Sequence, residues 1–174
     1  MLSEIRIVIT LLVATLGSPI ALASDRFEVP GTHYSVSIPG TPECEVHEMD
    51  TALGSIERHV CSYYDSELGG GYSIEYFSLP VVPDQDMAQI ILTATASGAA
   101  ESSASEITRQ SETLVDGYPA LEVTFLMRDK GFFAHVRYVL VGGDLVTVSV
   151  DGGKRMHDSP TVPAFLDSLR VSGS

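Results

Sequence analysis

The chain has 174 residues, with 10 lysines and arginines against 23 aspartates and glutamates, a formal net charge of -13 and 44 % apolar residues. That apolar share, with 7 tyrosines and 6 phenylalanines, is enough for a packed core, so the molecule is not simply an acidic disordered tail. A negative field of this size argues against nucleic acid and anionic membrane surfaces as the main partners, since both are polyanions.

Residues 1–23 form the first distinct segment. Arg6 and the α-amino group give a weakly positive start, an apolar run follows from Ile7 to Leu16, and Gly17, Ser18 and Pro19 break it. Ala21-Leu22-Ala23 then fits the small-x-small rule for cleavage before Ser24. The rival reading is a transmembrane anchor, but an apolar run of about ten residues is short for a hydrocarbon core of roughly 30 Å. No cysteine follows the run to carry a lipid. The segment reads as an export signal, leaving residues 24–174 as a single mature domain in the periplasm or outside the cell, with no stable membrane insertion.

Export sets the redox context for Cys44 and Cys61. Residues 43–49 and 56–64 read as strands joined through Asp50 to Gly54, and a hairpin centred between Ala52 and Leu53 sets Cys44 opposite Cys61. An antiparallel non-hydrogen-bonded pair brings α-carbons close enough for a disulfide. Closing that loop is worth about 3 kcal/mol in the chain-entropy model. A redox-active pair lacks its C-x-x-C spacing, and two thiols alone make a poor tetrahedral metal site.

Further along, Tyr34, Val36 and Ile38 alternate with His33, Ser35 and Ser37, the pattern of a half-buried strand. Gly69 to Gly71 make a turn into a strand carrying Tyr72, Ile74 and Tyr76 on one face. Residues 84–97 predict a helix with Met87, Ile90, Ile91 and Ala94 on its buried side and Asp84 and Asp86 at its positive end. Residues 98–106, small and polar, read as a mobile link or a frayed helix end. Strands then follow over 107–115, 120–129, 132–141 and 145–150, the last two apolar on both faces in part, as central strands covered by helices are. Ser159 and Pro160 open a closing helix with the stripe Val162, Phe165, Leu166 and Leu169. The sum is an α+β domain, one mostly antiparallel sheet with two helices packed on it.

The opening FEVPGTHYSVSIPGTPE, the middle LVDGYPALEVTF, and the late RYVLVGGDLVTVSVDG with FLDSLRV resemble, in that order, the corresponding segments of small exported bacterial proteins with a PsbP-like fold. Together they span residues 27–171. The resemblance implies an antiparallel sheet sandwiched by helices, and it implies no shared catalytic set. Relatives of the fold include an extrinsic photosystem subunit and a nuclear Ran-binding protein. Neither role carries over to a chain with no thylakoid setting and no basic docking surface.

The search for chemistry returns little. G-x-S-x-G, G-x-G-x-x-G, H-E-x-x-H and Walker sequences are all missing, which leaves a hydrolase as a distant third reading. In the proposed hairpin Glu48 faces Glu57 with Asp50 nearby, and this acidic tip either holds a hard cation such as calcium or is simply solvated. Asp151, His157 and Asp158 make a second acidic-plus-histidine patch, read as a flexible surface loop behind Gly152, Gly153 and Lys154. Tyr63, Tyr64, Tyr72, Tyr76, Phe132, Phe133 and Tyr138 either fill the core or line a groove for an apolar ligand or a protein edge. The leading expectation is a non-catalytic accessory or interaction protein. A module binding a divalent cation or small ligand comes second.

Overall fold

The computed structural model describes residues 26–51 and 54–172, so residues 1–23, read from the sequence as an export signal, lie outside the described residues. Strands β1 (Phe27–Glu28) and β2 (Tyr34–Val36) open the fold, followed by β3 (Glu43–Thr51), β4 (Gly54–Asp65) and β5 (Gly70–Ser78). Helix α1 (Gln85–Ser103) leads to β6 (Glu106–Val115), β7 (Tyr118–Met127), β8 (Phe132–Val141) and β9 (Asp144–Gly152). Two short helices, α2 (Lys154–His157) and α3 (Thr161–Leu166), precede β10 (Arg170–Val171).

Among the described residues, seven strands form an antiparallel sheet in the order β3-β4-β5-β9-β8-β7-β6. The strand period of two sends alternate residues of β7, β8 and β9 into two separate cores. Ala120, Val139, Val146, Val148 and Val150 pack beneath α2, α3 and the N-terminal strands. Leu121, Val123, Phe125, Val136, Tyr138 and Leu140 pack beneath α1. The two-faced apolar pattern of the 132–141 and 145–150 segments follows directly, and the architecture is α+β with helices on both faces of the sheet.

Three expectations are corrected. First, Tyr34–Val36 does not belong to the main sheet but is the centre of a small second one, β1-β2-β10. All three of its residues are buried, because Arg26 covers Ser35 (Nη1 to Oγ, 3.1 Å) while Tyr34 and Val36 enter the core. Second, the helix runs through residues 98–103, where Ser103 donates back to the Ala99 carbonyl (2.6 Å) and Ala104 in the left-handed region ends it. Its start is as read, with the Asp84 side chain accepting from the Met87 amide (2.9 Å). Its buried face, however, is Ala88, Leu92 and Ala96, and Met87 and Ile90 are exposed. Small residues let the helix lie close on β7, so the bulkier apolar side chains end up facing away. Third, Gly152 to His157 is no flexible loop, since Gly152 closes β9 and α2 follows at once.

Glycine is what allows that close fit. Gly70 and Gly152 are register partners, and a β-carbon on Gly70 would sit 2.4 Å from the Asp151 carbonyl oxygen. One on Gly152 would sit 2.7 Å from the Met156 β-carbon. Met156, 1 % exposed, plugs the gap. Gly152→Ala should therefore cost about 1–3 kcal/mol by overpacking. Chemical denaturation reads this, and an unchanged midpoint would mean that α2 does not rest on the glycine pair.

Candidate functional site

The β3–β4 hairpin has the register read from the sequence. Cys44 pairs with Cys61, Val46 with His59, His47 with Arg58 and Glu48 with Glu57. The cysteine α-carbons are 4.0 Å apart and the sulfurs 2.09 Å apart, at disulfide distance. The acidic tip does not gather further. Asp50 pairs with Ser55, and Glu57 turns toward His59 (3.9 Å). Among the described residues no group of three or more histidine, cysteine, aspartate or glutamate side chains is placed to hold a metal, so Glu48, Asp50 and Glu57 form no cation cage there. The tyrosines mostly serve the core, where Tyr72 stacks edge-on against Phe165 (5.2 Å) and its hydroxyl shares a hydrogen bond with Thr161 (2.7 Å). Tyr64 stays exposed.

The Asp151, His157 and Asp158 patch comes apart. Asp158 pairs with Lys154 (2.8 Å), and burial pushes the Asp151 carboxyl above its ordinary value. His157 turns inward, stacks on Phe133 (3.9 Å between rings) and meets His135, Nδ1 to Nε2, at 2.7 Å. Next to this pair the main sheet and α3 form an open cleft of about 340 Å³, lined among others by Arg109, Glu122, Thr124, Arg137, Pro163 and Asp167. Its floor comes from strand register. Arg109, Thr124 and His135 are successive partners across β6, β7 and β8, and Glu122 and Arg137 are partners in a parallel row. The pairing of β6 slips at Thr108, and this bulge turns Arg109 onto the cleft face.

Arg137 is the structural centre of the cleft. It is 8 % exposed, and its Nε (3.0 Å) and Nη2 both donate to Glu122. It also donates to Asp167 (2.7 Å) and to the Leu166 carbonyl (2.5 Å). Two imidazoles hydrogen-bonded to each other share one proton, so at least one is neutral. Burial, then the nearby His157 and Arg109, hold His135 below its ordinary value of 6.5. The sign follows from linkage. The unfolded chain takes up this proton first, so the contribution is complete above that value and is lost as pH falls below it. The stability advantage of the wild type over His135→Gln should therefore narrow between about pH 7.5 and pH 5. Denaturation midpoints at the two pH values check this, and a constant difference would contradict it.

A second surface lies on the opposite side. Ile90 is 67 % exposed and Met87 47 % on the outer face of α1, with Val81 and Val82 exposed in the segment leading into the helix. Leu114 of β6 is exposed beside Asp86 and Gln89, across a shallow groove completed by Glu112 and Pro119. Acidic side chains thus border an apolar ridge.

A seven-stranded antiparallel sheet between helices defines the architecture, and comparison with solved structures gives it a name: the chain has the PsbP-like fold. It is similar to the solution structure of cyanobacterial PsbP (CyanoP) from Synechocystis sp. PCC 6803, with a TM-score of 0.55 and 14 % identity over 91 % of this chain and 99 % of that one. At that identity the likeness is one of fold. No family model and no curated protein sequence matches the chain.

The cleft was missed in the sequence because FFAHVRYVLV was read for its apolar residues. His135 and Arg137 alternate with Ala134, Val136 and Tyr138, which places both polar groups on one face. That signal was available. The bulge that aims Arg109 had no sequence mark.

Proposed function

We propose that this protein is an exported, non-catalytic accessory domain that binds another protein through the outer face of α1. One observation carries the reading. Met87 and Ile90 sit exposed on a helix whose core-facing side is already satisfied by Ala88, Leu92 and Ala96. Large exposed apolar groups rimmed by polar ones are characteristic of interaction sites. Asp86 and Glu112 at the rim, and the net charge of -13, select a partner surface with an apolar centre and a basic border. Export to the periplasm or beyond rests on the pattern of residues 1–23. No helix among the described residues is long and apolar enough to cross a membrane. The PsbP-like fold supports an accessory role by analogy alone.

Affinity purification from the native envelope fraction tests this, using the wild type and Ile90→Asp side by side. The wild type should retain a protein that the variant loses at equal folded yield, and the retained amount should fall with added salt. Identical retention by both would overturn the assignment of the ridge.

A further inference from the structure

The ridge leaves the cleft on the other face without a task. Arg109 has no hydrogen-bond or ion-pair partner among the described residues, although the chain holds many carboxylates. Arg58, Arg128 and Lys154 are each paired with one, at 3.8, 2.5 and 2.8 Å. A backbone irregularity directs Arg109 into the cleft, in a row with Thr124 and His135. Arg137 is less available to a ligand, because Glu122, Asp167 and the Leu166 carbonyl take four of its five N–H donors. His157 has one ring nitrogen bonded to His135 and the other, Nε2, uncommitted. Val162, Pro163 and Leu166 of α3 add an apolar wall.

We propose that this cleft binds a small monocarboxylate with an apolar body, its carboxylate held between the Arg109 guanidinium and His157 and its body lying against α3. Three observations choose this class. A free guanidinium fork matches a planar carboxylate in two-point contact. Arg109 is the one guanidinium of the cleft left unpaired among the described residues, since Arg137 is held by Glu122 and Asp167, so the site offers one positive charge and suits a monoanion. A volume of about 340 Å³ lies at the low end for ligand sites, which suits a small molecule.

Binding is coupled to the histidine pair. The charged groups around it are Arg109 on β6, Glu122 on β7, Arg137 on β8, Lys154 and Asp158 on α2, and Asp167 on α3. Glu122 and Asp167 are taken up by Arg137, and Lys154 and Asp158 by each other. A bound anion favours the pair with an added proton. Affinity therefore rises as pH falls, and ligand in turn raises the proton affinity of the pair.

Calorimetric titration with benzoate, its neutral counterpart benzamide and the dianion sulfate tests the site, with histidine ring signals followed by NMR. Benzoate should bind with a Kd on the order of 1 mM at about pH 5.5, and at least about tenfold more weakly at pH 8. It should shift the His135 and His157 signals, while benzamide and sulfate should not bind. Arg109→Ala, a substitution at an exposed position that should leave the melting temperature unchanged, should abolish binding, and Arg109→Lys should restore part of it. Absence of benzoate binding, equal binding of benzamide, sulfate binding in place of benzoate, or full binding by Arg109→Ala would each overturn the proposal. Ile90→Asp should bind benzoate normally, so this result stands or falls apart from the ridge.

Discussion

Replacing Cys44 and Cys61 together by serine is expected to lower the unfolding free energy by about 3 kcal/mol, the entropy of the closed loop. The effect is large against a typical domain stability of about 5–15 kcal/mol. It should also be local. Among the described residues β3 is an edge strand bonded only to β4, and its side chains from Glu43 to Glu48 are exposed, so apolar burial scarcely holds it. Cys61, by contrast, is 4 % exposed and belongs to the core beneath the small sheet. The disulfide ties a weakly anchored edge to a firmly anchored neighbour. Denaturant titration with and without a reductant measures the global cost, and amide hydrogen exchange locates it. Exchange should quicken most over residues 43–51. An unchanged midpoint in reductant, or uniform acceleration across the domain, would show that the cross-link does not hold this edge.

The second large effect is expected at Glu122. Arg137 is buried, and its charge is balanced chiefly by Glu122, which accepts from two of its nitrogens. Glu122→Ala leaves that guanidinium with Asp167, itself largely exposed, and one carbonyl. Removing one partner of a buried pair costs about 3–5 kcal/mol, and the partial exposure of Glu122 places this case near 3. Arg137→Met removes the charge but keeps an unbranched apolar stem, so it should cost less than Glu122→Ala. The double variant should then recover part of the loss, because no uncompensated charge remains. Equal or additive losses in this cycle would mean that packing of the arginine stem, not charge balance, is what the structure needs.

The sequence was most informative where period and geometry work locally. The hairpin register followed from centring the connection between positions 52 and 53 of the sequence, which sets Cys44 opposite Cys61, and every neighbouring pair from Val46–His59 to Glu48–Glu57 came with it. The two-faced apolar runs of β8 and β9 gave the covered central strands. Where the reading failed, long-range packing decided. Helix α1 has apolar residues on more than one side, and periodicity could not tell that the Ala88-Leu92-Ala96 stripe, rather than Met87 and Ile90, meets the sheet. The small sheet joins Tyr34–Val36 to Arg170–Val171 at the far end of the chain, which no local pattern records. His157 looked like a loop residue beside acidic neighbours. Its partners, Phe133 and His135, come from a strand more than twenty residues earlier, with the ring contact His135–His157 spanning 22 positions.

Docking of a protein partner on the outer face of α1, as proposed above, is read out by cross-linking. A photoreactive residue is placed at position 90 of the protein in its native cells, with the same residue in place of Glu48 on the acidic hairpin as control. Irradiation should cross-link position 90 to one discrete protein, in a yield that falls when Met87 is replaced by aspartate, while position 48 gives no such product. No discrete adduct from position 90, or the same adduct from both positions, would rule out docking on this face.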